Sequence, residues 1–220
     1  MFPKLFSARL ELLQEMGASQ ETCAKWIAES VHAQQIDKGG AQYITHPARV
    51  VANLLTLPDF EALEPEWREA CIVGAWLHDV VEDSGENGFP KVSLENLRDW
   101  GIGQAISVIE LLTRPIDKSA VAQDAYYEAI GSNRAARYVK WADIADNLNV
   151  QRLEKLPSDL RSKAEKKYAH ALEILHMNEK QNAWLQERIH MDPETVTQSC
   201  PICKSWVDSS ERYPDYICNK

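Results

Sequence analysis

Apolar residues recur every three or four positions along nearly the whole chain, a spacing that gathers them on one face of a helix and scatters them over both faces of a strand. The pattern predicts a first amphipathic helix over 4–16, ending near Gly17. Ser19 is placed to cap a second helix running through Ala24, Trp26, Ile27 and Val31 to about Gln35, and Lys38-Gly39-Gly40 predicts a tight loop after it. Pro47 suits the first turn of a third helix, Ala48 to Leu57, and Pro65 the start of a fourth that continues through Ala70, Val73, Trp76, Leu77 and Val80. Residues 84–92 hold two glycines and a proline and read as a surface loop. Helices are expected near 93–100, 103–112, 119–130 and 133–148, and a long one from Pro157-Ser158 with apolar residues at 160, 164, 168, 172 and 175 and Ser158 as its N-cap. No strand pair, repeat or low-complexity tract interrupts this pattern, so the expected fold class is all-α. Beyond about 191 the composition shifts to Pro, Ser, Asp and three cysteines, which divides the chain into a helical domain, 1–190, and a small C-terminal tail, 191–220.

With 220 residues and 45% apolar content the chain is long enough for one sizeable core. Its net charge of −9, from 24 basic and 33 acidic side chains, argues against a nucleic-acid binder, which carries a basic face. An anionic small molecule remains compatible, because a bound cation and a few local lysines reverse the field inside one pocket. No apolar run approaches the roughly 20 residues that span a bilayer, so no membrane partner is expected. The N-terminal Met-Phe-Pro-Lys-Leu-Phe lacks the apolar core of a secretory signal. Five cysteines, an odd number, with Cys23 and Cys71 inside helical patterns, fit a cytoplasmic protein with reduced thiols.

Three clusters carry chemistry. In His78-Asp79-Val80-Val81-Glu82-Asp83, helical spacing stacks His78 with Glu82 and Asp79 with Asp83 at one helix end. Carboxylates this close repel one another, and a divalent cation or a shared proton relieves the repulsion. Lys140, Asp143 and Asn147 form a second stripe, and Tyr43-Ile44-Thr45-His46-Pro47 sets His46 just before a helix start. A metal needs ligands from several rigid elements. His46, His78, Asp79 and Asp143 supply two imidazoles and two carboxylates, a mixed set that suits Mn²⁺ or Fe²⁺, and Zn²⁺ less clearly. Each cluster alone also has an ordinary reading, as solvated acids, a capping histidine or a Lys140–Asp143 helix ion pair. It is their joint occurrence on apolar helices that points to a metal site.

The order His-Pro, His-Asp and a distant Asp is similar to that of the HD phosphohydrolase superfamily. The fuller pattern is Tyr43-x-x-His46-Pro47, His78-Asp79-x-x-Glu82-Asp83 and Lys140-x-x-Asp143-x-x-x-Asn147. It resembles the branch that holds the alarmone hydrolase domain of Rel/Spo-type stringent-response enzymes and the stand-alone small alarmone hydrolases. The resemblance covers about residues 20–180. It implies an HD-domain helical bundle around one Mn²⁺ that hydrolyses the 3′-diphosphate of guanosine tetra- or pentaphosphate and releases pyrophosphate. By position, it implies His46, His78, Asp79 and Asp143 as metal ligands and Glu82 and Asp83 as the catalytic acidic pair. Tyr43 and Asn147 match substrate-contacting positions, Lys38 falls in the loop that packs on the guanine base, and Tyr168 lines the same pocket. Lys38, Lys118 and Lys140 are candidates to hold phosphates as point charges, with Lys140 best placed by helix spacing.

The chain departs from that pattern at Asp37, where the family's loop usually has Arg, and at Gln42, where it usually has Pro. Trp76 and Trp141 stand where Leu is usual and read as core fillers. The cation lost at 37 leaves open a phosphohydrolase for another nucleotide, such as a nucleoside monophosphate or NADPH. A protein that binds a small nucleotide without turnover and signals through its tail is a reading of another class. The intact Glu82-Asp83 pair speaks against it, because binding alone needs no such acids. In the tail, Cys200-Pro201-Ile202-Cys203 followed by Cys218 is spaced like a zinc knuckle, with His190 or another chain supplying a fourth ligand. A structural Zn²⁺ there would stabilise the tail or dock a partner.

Overall fold

A computed structural model of the chain describes residues 2–85 and 89–198; Cys200, Cys203 and Cys218, and with them the zinc knuckle, lie outside the described residues. Among the described residues thirteen helices follow one another: α1 (Phe2–Glu15), α2 (Gln20–Val31), α3 (Thr45–Leu55), α4 (Pro65–Leu77), α5 (Val80–Asp83), α6 (Leu94–Asp99), α7 (Ile106–Leu112), α8 (Ala120–Ser132), α9 (Arg134–Asn147), α10 (Val150–Glu154), α11 (Ser158–Leu175), α12 (Glu179–His190) and α13 (Pro193–Gln198). Among the described residues there is no strand, only an isolated bridge between Ile36 and Gln42 that closes the glycine loop. The all-α class expected from the apolar spacing is the one observed. No helix of the described residues is long and apolar enough to cross a membrane.

Side-chain caps start six of these helices. Ser19 accepts from the Thr22 amide as expected, Asn133 and Asn149 cap α9 and α10, and reciprocal capping boxes open α6 (Ser93 with Asn96) and α12 (Asn178 with Gln181). Several boundaries differ from the sequence expectation. Helix α3 begins at Thr45, so His46 and Pro47 lie inside its first turn, where a missing proline N–H costs nothing. Ser158 is the first residue of α11 and not its cap; Pro157 holds the cap position, with no side-chain bond. Helix α4 stops at Leu77, and a break at His78-Asp79 precedes the single turn α5. Helices α10 and α12 lie in segments where apolar spacing gave no helix.

Helices α2, α3, α4 and α9 form the centre, with α3 and α9 in the most extensive contact. Helix α9 is buried on nearly every side, from Ala135 to Asp146. A helix enclosed all round is normally apolar, so its buried Lys140, Asp143 and Asp146 need partners. Helix α11 covers α8 and α9, while α12 packs on α9 and α13 on α3. Val196 of α13 is buried in the core, so the packed helices continue past the composition change near 191. Trp76 and Trp141 are both buried and fill the core.

The crossing of α4 over α7 and α9 depends on Gly74. A Cβ there would lie 2.8 Å from Val108 Cγ1 and 3.7 Å from Val139 Cγ2, both on stiff β-branched side chains. Gly74→Ala should therefore destabilise the fold by about 1–3 kcal/mol through overpacking, read as a lower Tm. A raised Tm, as helix propensity alone would give by about 1 kcal/mol, would contradict this close approach.

Candidate functional site

The chain brings four of its predicted site residues to one point. His46 comes from the first turn of α3, His78 and Asp79 from the break between α4 and α5, and Asp143 from the enclosed helix α9. His46 Nε2 lies 3.2 Å from His78 Nε2, 3.3 Å from Asp143 Oδ1 and 3.6 Å from Asp79 Oδ2. His78 Nε2 lies 3.0 Å from Asp79 Oδ2 and 3.8 Å from Asp143 Oδ1. Two donors about 2.1 Å from a shared cation stand roughly 3.0–3.4 Å apart at octahedral or tetrahedral angles, so these spacings fit a coordination shell. Among the described residues, His46, His78 and Asp79 form a group whose ligand atoms all lie within 4.8 Å of one another. Asp143 reaches it through the two imidazoles.

The chemistry of these atoms supports a cation. His46 Nδ1 donates to Asp146 Oδ2 at 2.6 Å, and His78 Nδ1 donates to the Ala75 carbonyl at 2.8 Å. That carbonyl lies in the last turn of α4, where a helix leaves its acceptors free. With Nδ1 protonated in both neutral rings, each Nε2 presents a lone pair to the same point as the two carboxylates. Burial disfavours charge on His46, yet Asp143, Asp146 and Asp79 outweigh it and push the imidazole up to about 10. Burial likewise works against Asp79 and Asp143. The imidazoles beside Asp79, and Lys140 followed by the imidazoles beside Asp143, hold both carboxyls well below their usual range. The site thus draws positive charge, which a divalent cation would supply in place of the protons held there otherwise.

Of the other predicted residues, Tyr43 donates its hydroxyl to Asp79 Oδ2 at 2.5 Å, and Asn147 donates to Asp143 Oδ1 at 2.5 Å. Burial first and Asp79 second raise the Tyr43 hydroxyl above its ordinary value, so it stays a donor. Asp83 accepts from Gln35 Nε2 at 2.8 Å, and Glu82 accepts from the Arg114 amide at 2.7 Å. Burial raises the Glu82 carboxyl against the opposing pull of Arg114. Lys140 is placed otherwise than expected. It is 3% exposed and donates to Asp143 Oδ2 at 2.8 Å, so it backs a ligand and does not line the cleft. Lys118 sits on the surface outside the cleft lining. His190, the last residue of α12, is exposed.

A cleft of about 740 Å³ adjoins this cluster through Tyr43 and Asn147, the partners of Asp79 and Asp143. Lys38, Tyr43, Asp83, Asn147 and Tyr168 line it as the sequence suggested, together with cations that the sequence reading missed: Arg114, Arg152, Lys155, Lys163 and Lys167. Lys167 is the most distinctive. Burial, then Arg114 and Lys140, lower its ammonium to about 8. The sequence reading also missed Asp146. It is buried, accepts from both Arg49 Nε at 2.6 Å and the Arg152 guanidinium, and orients His46. Its place four residues from Ala142 and three from Asp143 on an apolar helix was the available signal.

These features define an all-helical bundle with a buried His/Asp centre under a cationic cleft. No family model and no curated protein matches the chain. Among solved structures, a metazoan ortholog of SpoT, described as hydrolysing ppGpp and playing a role in starvation responses, matches with a TM-score of 0.61 at 20% identity. The match covers 78% of this chain and 94% of that one. The chain therefore shares the all-helical fold of that protein.

Mn²⁺ at a hundredfold excess over its Kd should stabilise the protein by about 2.7 kcal/mol, read as a rise in Tm. Asp79→Ala and Asp143→Ala should each remove that rise. An equal rise in either variant would place the cation elsewhere.

Proposed function

We propose that the protein is a metal-dependent phosphohydrolase of the HD type. Its proposed substrate is an alarmone, guanosine 3′,5′-bis(diphosphate), from which it releases the 3′ pyrophosphate. The observation that carries this reading is the convergence of His46, His78, Asp79 and Asp143 next to a cation-lined cleft that Tyr43, Asp83 and Asn147 help to line. The fold shared with a ppGpp-hydrolysing protein agrees with it. The −9 chain concentrates cations where a polyphosphate would lie.

Mn²⁺ suits the two-nitrogen, two-oxygen set of His46, His78, Asp79 and Asp143, and when bound it polarises a phosphoryl oxygen and acidifies a water. The protein's own groups do the rest. Asp83, steadied by Gln35, orients the attacking water, and Glu82, with its raised carboxyl, takes the proton. The water oxygen bonds to the phosphorus on the 3′ oxygen, that phosphorus–oxygen bond breaks, and the 3′ oxygen receives a proton as pyrophosphate leaves. Tyr43 and Asn147 hold Asp79 and Asp143 in place from the cleft side. Arg114 and Lys167 face the phosphates, and Lys38 reaches the nucleobase side from its loop. Lys140 neutralises Asp143 from behind.

One observation favours a second reading, a phosphohydrolase for another nucleotide. The Asp37 carboxylate stands where the resemblance expects a cation, and its oxygens are engaged by the Gly39 and Ala41 amides and by Arg152. The base-side contacts therefore differ from the pattern on which the alarmone assignment draws.

A nucleotide panel with Mn²⁺, scored for pyrophosphate and orthophosphate, separates the readings. Pyrophosphate from the 3′-diphosphate, lost at least a hundredfold in Glu82→Gln with metal uptake intact, supports the alarmone. Orthophosphate from monophosphates or NADPH supports the second reading, and no product from any of them removes both. Lys167 gives an independent check. Its ammonium is charged below about 8 and neutral above it, so KM should rise as pH passes 8. Lys167→Arg should abolish that rise, and a KM insensitive to pH in the wild type would take Lys167 out of phosphate binding.

A further inference from the structure

Beside the His/Asp centre, and reaching the cleft lining at Asp37, Arg49 and Arg152, lies a set of charged groups that the mechanism above leaves unused. Asp146 is 2% exposed and serves four donors. His46 Nδ1 and Arg49 Nη2 reach its Oδ2 at 2.6 and 3.3 Å, Arg49 Nε reaches Oδ1 at 2.6 Å, and Arg152 Nη1 also bonds Oδ2. The same Arg152 Nη1 reaches the Asp146 carbonyl at 3.0 Å, while Nη2 crosses to Asp37 Oδ2 at 3.2 Å. The other oxygen of Asp37 accepts from the Gly39 and Ala41 amides, both at 2.9 Å. An unbroken line of charge-assisted hydrogen bonds thus joins the cleft loop to the imidazole of a metal ligand.

We propose that Arg152 is a positioning residue that couples ordering of the 37–41 loop to cation binding at His46. This rests on the metal-centre reading above, and it concerns groups that touch neither the cation nor the reacting atoms. The guanidinium is a rigid planar fork, so fixing the edge that meets Asp146 fixes the edge that meets Asp37. A cation that immobilises His46 immobilises Asp146, then Arg152, then the loop. Lys38 and Gly39 of that loop line the cleft, so a nucleotide that orders the loop meets a site already arranged when the cation is bound. Each event orders the same groups, and the second has less freedom left to remove. The coupling is reciprocal by thermodynamic necessity. It also gives the departure at Asp37 a role, because the loop cation missing from position 37 is supplied in space by Arg152 from α10.

The test is Mn²⁺ titration by calorimetry on the full chain and on Arg152→Gln, Asp37→Asn and the double variant. It is joined to hydrogen exchange of the Gly39 and Ala41 amides with and without Mn²⁺. Arg152→Gln should weaken Mn²⁺ binding about tenfold, the size seen for groups that orient metal ligands. Asp37→Asn keeps an acceptor for the loop amides, yet should weaken binding by a smaller factor, and the double variant should be no weaker than Arg152→Gln alone. Mn²⁺ should slow exchange of the two amides in the wild type and leave it unchanged in Arg152→Gln. Arg152→Lys should restore charge without restoring this response, since an ammonium cannot span both carboxylates. Losses that multiply in the double variant, or loop amides indifferent to Mn²⁺ in the wild type, overturn the proposal while leaving the metal centre standing. A wild type that takes up no Mn²⁺ overturns the metal centre itself. Should Arg152→Gln fail to fold, Asp37→Asn decides alone: unchanged Mn²⁺ affinity with unchanged loop response sinks the coupling.

Discussion

Two imidazole lone pairs and two carboxylates face one another in an interior that solvent barely reaches, an arrangement that repels itself unless positive charge sits among them. Much of the surrounding structure serves that contact. Helix α9 must be enclosed to carry Asp143 inward, and alanines at 135, 136, 142 and 145 let its neighbours come close. Lys140 balances Asp143 from outside the cleft, while Arg49 and Arg152, both at the cleft lining, balance Asp146. The result is an acidic protein with a locally cationic mouth.

The end of α4 is where backbone and chemistry meet. Had the helix continued, as its apolar spacing suggested, the Ala75 carbonyl would accept from a backbone amide one turn on. Because the helix stops at Leu77, that carbonyl instead receives the Nδ1–H of His78 and sets the tautomer. The break also lets His78 and Asp79, adjacent in sequence, aim at one point, their nearest atoms 3.0 Å apart. The turn α5 then carries Glu82 and Asp83, the latter at the cleft lining, each steadied by a different loop: Arg114 for the first, Gln35 for the second.

The helical class was legible in the apolar period, and the residues that meet at the centre were legible because His46, His78, Asp79 and Asp143 recur in a known order. What they bind stays a proposal. The charged groups behind the centre were not legible. Arg49, Asp146 and Arg152 are polar residues that a helical reading assigns to solvent, and only the packing of α3, α9 and α10 shows them turned inward against one another. Lys140 was misplaced for the same reason: helix spacing gives the stripe it shares with Asp143, not the depth of that stripe. The break at 78–79 has no glycine or proline to announce it. The box of Asn178 and Gln181 that starts α12 was present in the sequence and shows that caps can carry a helix where apolar spacing is weak.

Selectivity would then lie in the loop and the helices around the cleft rather than in the centre. Asp37 tied to Arg152, and Lys163 and Lys167 from α11, make a different frame for a base and its phosphates from one built on an arginine loop. The centre itself is the claim on which the rest stands. Pulsed EPR of the Mn²⁺-loaded protein addresses it directly, because ligated imidazole nitrogens couple to the electron spin. The account predicts couplings from two histidine nitrogens, reduced to one in His78→Ala. A bound Mn²⁺ that shows no nitrogen coupling would contradict it.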